Sequence, residues 1–107
     1  MKIAVWGGLG RSSAFMNRYE MDAKRFPIVV DSDTHKVGTF VPGTGQEIRF
    51  RDWLLENPAD IVIIPSQWRA TDIISEMDRT GIMAKTVLIE HHGSLVDYYQ
   101  DSHPYKS

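Results

Sequence analysis

The sequence predicts a Rossmann-like α/β fold: a doubly wound, mostly parallel sheet of about five strands in the order 3-2-1-4-5, with helices on both faces. Three observations carry this prediction. Short apolar runs at residues 2–6 (KIAVW), 27–31 (PIVVD), 60–64 (DIVII) and 85–90 (KTVLIE) lack polar alternation, the pattern of strands buried on both faces. The segments between them include stretches whose apolar residues recur at helical spacing. A glycine-rich turn, GGLG at residues 7–10, joins the first strand to the first such segment, as dinucleotide-binding folds do.

Each element has its own justification. After the turn, Ser12, Phe15, Met16 and Tyr19 fall at i, i+3, i+4 and i+7, so one stripe faces the sheet while Arg18, Glu20 and Asp22 face water. Residues 32–45 (SDTHKVGTFVPGTG) are too rich in glycine, proline and polar residues for a helix; they predict a long loop with an extended piece around residues 39–41. A short edge strand is expected at residues 46–49. Phe50, Trp53 and Leu54 then mark a two-turn helix stopped by Asn57-Pro58. DIVII is the strongest strand, β-branched and bounded by prolines. Ala70, Ile73, Ile74 and Met77 line the next helix, which Gly81 ends. Leu95, Val96 and Tyr98 or Tyr99 suggest a last short helix before a polar, frayed end from about residue 93.

Length and composition bound the function. A chain of 107 residues is expected to be a single domain over 1–107, too short to include a separate substrate domain. Twelve basic and fourteen acidic residues, mixed along the chain, leave a net charge of -2 and no footprint for nucleic acid or an anionic membrane. No apolar run approaches the ~20 residues of a membrane span. The absence of cysteine excludes disulfides, thiolate catalysis and cysteine-ligated zinc, and suits a soluble cytoplasmic protein.

The candidate ligand site lies where the first, second and fourth strands end. Gly7, Gly8, Gly10, Ser12 and Ser13 form a small-residue turn whose backbone N–H groups can approach a phosphate at the start of a helix, and Arg11 can add a bidentate contact. The competing reading is that these glycines serve only a tight turn. Asp31 follows Gly10 at about the spacing of the acid that binds an adenosine ribose, though aspartate there also caps turns. His35 and Lys36 are candidates for an anionic or sugar ligand, and Ser66 and Trp68 flank a helix start where Trp68 can stack on a ring. Trp6 and Trp53 are assigned to packing. The acids and histidines of DSDTHK and EHH lack the spacing of an established metal site, so no metal is expected. No G-x-S-x-G context surrounds the serines, which argues against a serine hydrolase and leaves no catalytic residue to name.

Three stretches together resemble one family, the C-terminal Rossmann-like domain of SAM-dependent sugar C-methyltransferases. GGLGRSSAFMN (7–17) follows a G-A-x-x-K-G-x-T-x-L-N pattern, with Arg11 for lysine, Ser12 for glycine and Asn17 retained. VDSDTHKVGTFVPGTGQEI (30–48) matches V-D-x-x-P-H-K-x-G-x-x-x-P-G-T-x-x-P-I at Val30, Asp31, His35, Lys36, Gly38, Pro42, Gly43, Thr44 and Ile48, while Thr34 and Glu47 replace its prolines. NPADIVIIPSQWRATDII (57–74) resembles the family's strand and aromatic turn, with the tryptophan shifted by one residue. The resemblance spans roughly residues 2–90. It implies a domain that binds a nucleotide-sugar or related nucleotide, adds Pro42, Gly43 and Thr44 to the ligand-binding candidates, and implies SAM only for a separate catalytic domain. This chain alone then holds no complete active site and is either an excised domain or a free-standing relative.

Two alternatives stand beside that expectation. A small NAD(P)-binding module related to sugar oxidoreductases suits the strand order and Asp31. A vestigial interaction domain, forming a homo-oligomer or docking a methyltransferase partner, offers Tyr98, Tyr99 and Tyr105 as interface aromatics.

Overall fold

The computed structural model describes residues 1–7 and 9–105; Gly8 therefore lies outside the described residues. A six-stranded sheet in the order β3-β2-β1-β4-β5-β6 forms the centre. Its strands are β1 (Ile3–Trp6), β2 (Ile28–Asp31), β3 (Ile48–Phe50), β4 (Ile61–Ile64), β5 (Thr86–His91) and β6 (Ser94–Asp97), with helices α1 (Arg11–Arg18), α2 (Trp53–Glu56) and α3 (Ala70–Thr80). The first five strands are parallel in the predicted order, and β6 pairs antiparallel with β5.

Alternation along the strands divides the core in two. Val5, Val29 and Ile63 meet Phe15 and Met16 of α1 on one face. Ala4, Val30, Val62, Ile64, Val87 and Ile89 meet Ala70, Ile73, Ile74 and Met77 of α3, with Leu54 of α2, on the other. Right-handed crossovers explain the split: the chain moves one way along the sheet through α1 and the opposite way through α3. Helix α3 ends at Gly81, whose φ of 80° is left-handed, and the Ile82 N–H returns to the Met77 carbonyl at 3.0 Å.

Three elements depart from the sequence pattern. The third strand starts at Ile48, because Gln46 is drawn inward: it is 2% exposed, its Nε2 donates to the carbonyls of Met21 (2.7 Å) and Phe26 (3.0 Å), and its Oε1 accepts from Thr44 Oγ1 at 2.6 Å. Helix α2 is a single turn, since Phe50 is spent in β3. The expected last helix is instead strand β6: after the tight turn at His92-Gly93, the open edge of β5 offers backbone partners to residues 94–97.

Residues 98–105 are also better ordered than their composition suggests. Tyr98 is buried and Tyr105 packs against the same core, so two of the three candidate interface tyrosines cover the α3 face of the sheet. Thr71 Oγ1 donates to the Tyr105 carbonyl at 2.6 Å, and His103 bridges the Tyr98 carbonyl (2.8 Å) and the Tyr105 N–H (3.1 Å).

The long loop is a folded hairpin. Phe40 and Glu47 form an isolated antiparallel bridge, as the extended piece around residues 39–41 predicts, and the Ile48 N–H reaches the Thr39 carbonyl at 2.8 Å. Its tip is fastened to α1 by Asn17, whose Nδ2 donates to the carbonyls of Ser13 and Pro42, each at 2.8 Å. Gly43, at φ +86°, lies so close that a Cβ there would collide with the Asn17 amide.

Gly43→Ala therefore combines left-handed strain with a clash and should lower unfolding stability by about 1–3 kcal/mol. In urea titrations, the cost in an Asn17→Ala background should be clearly smaller than in the wild type; additive losses would rule out the clash. A second expectation concerns acid. The Asp60 carboxylate accepts the Lys2 N–H at 2.8 Å, which, with Lys85 nearby, holds its carboxyl below the usual range. A depressed folded value contributes stability above the unfolded pKa that is lost as pH falls through the folded one. The melting temperatures of wild type and Asp60→Asn should thus differ at neutral pH and converge below pH ~4.

Candidate functional site

The carboxyl ends of β1, β2, β4 and β5 converge on one edge of the sheet, above the start of α1. Gly7 (φ +102°) turns the chain there, its N–H bonded to the Val30 carbonyl at 2.7 Å. A Cβ on Gly7 would lie 2.7 Å from Ser12 Oγ, so glycine lets α1 descend onto the strand end. Ser12 is thereby buried, 2% exposed, and faces the turn rather than the open edge. Gly10 caps α1 with φ 62° and no side-chain acceptor, and Ser13 Oγ donates to the Gly10 carbonyl at 3.1 Å. The first-turn N–H groups of α1 are left without a side-chain cap.

Arg11 stands at that helix start, where the dipole disfavours a cation. Two neighbours from distant parts of the chain offset this. Its Nη2 is 3.4 Å from Glu90 Oε2 near the end of β5, and its guanidinium carbon lies 5.2 Å from the Trp68 ring centroid. With the Gln67 amide oriented to satisfy both of its ends, Oε1 also accepts from Arg11 Nη2 at 3.2 Å while Nε2 donates to the Pro65 carbonyl at 2.8 Å. Trp68 is 60% exposed beside these groups, and Ser66 sits half-buried where β4 passes into the 3₁₀ turn Gln67–Arg69. The edge thus carries a flat aromatic surface, a guanidinium, a carboxylate and free helix amides within one cluster.

Asp31 is placed differently. It is 4% exposed; Oδ1 accepts the Asp33 N–H at 2.9 Å and Oδ2 is 3.9 Å from Lys36 Nζ. Its carboxylate therefore caps its own turn. His35 is exposed in that turn, its N–H bonded to Asp33 Oδ1 at 2.9 Å. Pro42, Gly43 and Thr44 meet α1 at Asn17 rather than at Arg11, and six residues of helix separate those positions by ~9 Å. The site candidates thus fall into three groups: Gly7, Gly10, Arg11, Ser13, Ser66 and Trp68 at the edge, Pro42, Gly43 and Thr44 beside α1, and Asp31, His35 and Lys36 at the end of β2 and in the turn after it.

Three contributors escaped the sequence reading. Glu90 was legible only as one of an acid–histidine run, Gln67 had no signal, and Gln46 looked like ordinary strand polarity. Trp6 is buried as expected, yet its Nε1 has no acceptor among the described residues. Among the described residues no three His, Asp or Glu side chains gather as metal ligands.

The Asp31 geometry is testable by stability alone. Asp31→Ala removes a hydrogen bond from the Asp33 N–H to a carboxylate and should cost about 1–3 kcal/mol in chemical unfolding. A neutral outcome would show that the carboxylate is not spent on the turn.

The fold has solved counterparts. UDP-D-quinovosamine 4-dehydrogenase from Vibrio fischeri superimposes with a TM-score of 0.61 at 17% identity, over 92% of this chain and 93% of that one. RSP, a Rex-family repressor, superimposes with a TM-score of 0.51, and its complex with β-NADH with 0.50, both at 17% identity over 87% of this chain. This chain spans about half, 47%, of the repressor. At such identity the likeness concerns the fold. No curated protein sequence matches. A family model does: residues 1–90 match the C-methyltransferase C-terminal domain, covering the glycine turn, the hairpin loop and the parallel strands up to the last residue but one of β5. The chain belongs to the C-methyltransferase C-terminal domain family.

Proposed function

We propose that this domain recognises a nucleotide-sugar at the carboxyl edge of its sheet and acts with a SAM-binding methyltransferase domain that it does not itself contain. The observation that carries this reading is the position of Arg11, suspended between Glu90 and Trp68 at the uncapped start of α1. A diphosphate is the ligand group whose charge and oxygen count suit a guanidinium beside free helix N–H groups. Trp68 offers a ring face for a base or sugar, and Glu90, once Arg11 turns to phosphate, is an acceptor for sugar hydroxyls. The 3.4 Å separation of the Arg11–Glu90 pair makes that exchange inexpensive. The kinship with a methyltransferase domain supports a sugar carbon as the eventual methyl acceptor. A dehydrogenase of the same fold is named for a UDP-linked sugar, which agrees with such a ligand. The cysteine-free composition suits a cytoplasmic setting.

A dinucleotide is the second reading, favoured by a fold shared with an NADH-bound repressor. Asp31 weighs against it, because its carboxylate is only 4% exposed and already accepts the Asp33 N–H, with Lys36 Nζ 3.9 Å away.

Isothermal titration with a panel of UDP- and TDP-sugars should show binding, weakened ~10-fold or more by Arg11→Ala through loss of a charge-assisted contact. Trp68→Leu should remove the ligand-dependent change in tryptophan fluorescence. Heat with NADH at millimolar concentration and none with any nucleotide-sugar, on folded protein, would overturn the proposal in favour of the dinucleotide.

A further inference from the structure

Beyond β6 the chain folds back as a strap, residues 98–105, that joins the first turn of α3 to the end of β5. Its outer end is held by Tyr105. Thr71 Oγ1 gives its one proton to the Tyr105 carbonyl at 2.6 Å, so in its 3.2 Å contact with Tyr98 the tyrosine hydroxyl is the donor. Tyr105 Oη also meets His91 Nδ1 at 3.3 Å, with the two rings edge to face at 5.3 Å. His103 ties the two tyrosines together. Its ring centroid lies 4.9 Å from that of Tyr98 and 5.9 Å from that of Tyr105, its Nε2 is 2.8 Å from the Tyr98 carbonyl, and its Nδ1 is 3.1 Å from the Tyr105 N–H.

Those two backbone partners fix the state of the ring. A carbonyl only accepts and a backbone N–H only donates, so Nε2 carries the proton and Nδ1 presents a lone pair. Only the neutral imidazole satisfies both contacts. A second proton, on Nδ1, would point at the Tyr105 N–H and leave both donors without an acceptor. We infer that residues 98–105 are an acid-released strap, closed while His103 is neutral and freed when its ring takes up a second proton.

The groups around the strap single out His103. Asp97 and Asp101 are engaged with turn amides: Asp97 Oδ1 accepts the N–H groups of Tyr99 (3.0 Å) and Gln100 (3.1 Å), and Asp101 Oδ2 accepts that of Asp97 (2.7 Å). Among the described residues no carboxylate lies within ion-pair distance of the His103 ring to steady an imidazolium. Helix α3 meets the strap through the neutral Thr71. Strand β5 meets it through His91, with His92 stacked behind at 4.1 Å, and the Tyr105 hydroxyl can donate to or accept from His91, so that bond survives protonation. Imidazoles titrate between roughly pH 5 and 8. Because the closed strap requires the neutral ring and the released one does not, closure is present above that range and is lost as pH falls through it. Release frees the start of α3, which follows Trp68, and His91, which follows Glu90. For the ligand site proposed above, on which this consequence rests, acid loosens both elements that hold Arg11; the strap itself stands without that reading.

NMR of the ligand-free protein tests this. Long-range proton–nitrogen spectra of the wild type at about pH 7.5 should show His103 as the neutral tautomer protonated on Nε2. Hydrogen-exchange protection of the Tyr105 amide, corrected for its intrinsic rate, should fall ~10-fold or more between about pH 7.5 and 5.5, while amides of β4 keep theirs. His103→Gln, whose side chain does not titrate, should give Tyr105 the same protection at both pH values, whether its strap is open or shut. His91→Asn should retain the step. A ring protonated on Nδ1 at pH ~7.5, protection of Tyr105 that survives acidification, a step that persists in His103→Gln or vanishes in His91→Asn, or a parallel loss in β4 overturns the inference.

Discussion

A Cβ at Gly7 would lie 2.7 Å from the hydroxyl of Ser12, and that close approach sets the depth at which α1 meets the end of β1. Phe15 and Met16 reach the sheet because the helix starts there, and they build one of the two cores. Arg11 is brought over the strand ends by the same placement. Asn17, two turns further on, meets Pro42 and binds the long hairpin to the helix. A bulkier residue at position 7 would lift α1 and disturb all three relations, which gives the glycine a structural role whether or not a phosphate ever sits above it.

The carboxyl edge balances two demands. An arginine in the first turn of a helix opposes the dipole, and a tryptophan that is 60% exposed covers no core. Each is accommodated by the other and by Glu90, through contacts too solvent-exposed to contribute much stability. Folding gains little from these groups, which is why the proposed ligand site is placed on them. The hairpin loop is the reverse case: His35 is exposed, but Asp31, Asn17, Gly43, Thr44 and Gln46 are engaged in turns and buried hydrogen bonds. Much of the pattern shared with the C-methyltransferase domains thus specifies the shape of the loop itself.

The parallel sheet was legible because strands buried on both faces need continuous apolar runs, and DIVII or PIVVD admit few other readings. The hairpin's extended piece and the stop at Gly81 were legible from local chemistry. Gln46 was not, since nothing in a polar side chain announces that two carbonyls 20 and 25 residues away need a donor. Strand β6 was misread as helix for a related reason: four residues, SLVD, have little preference of their own, and the unpaired edge of β5 decided their conformation.

Sequence by itself determined the fold class, the strand order, the glycine turn and the kinship with a methyltransferase domain. The fold class, strand order and turn follow from apolar periodicity, backbone freedom and crossover handedness, and the kinship from motifs that the chain shares with that family. Only the tertiary structure decided that Arg11 would meet Glu90, 79 residues away, that Asp31 would turn inward to its own loop, and that a groove would remain beside α1. Those outcomes depend on which surfaces the crossovers bring together, and hydrogen-bond and charge partners are chosen only after the chain has closed.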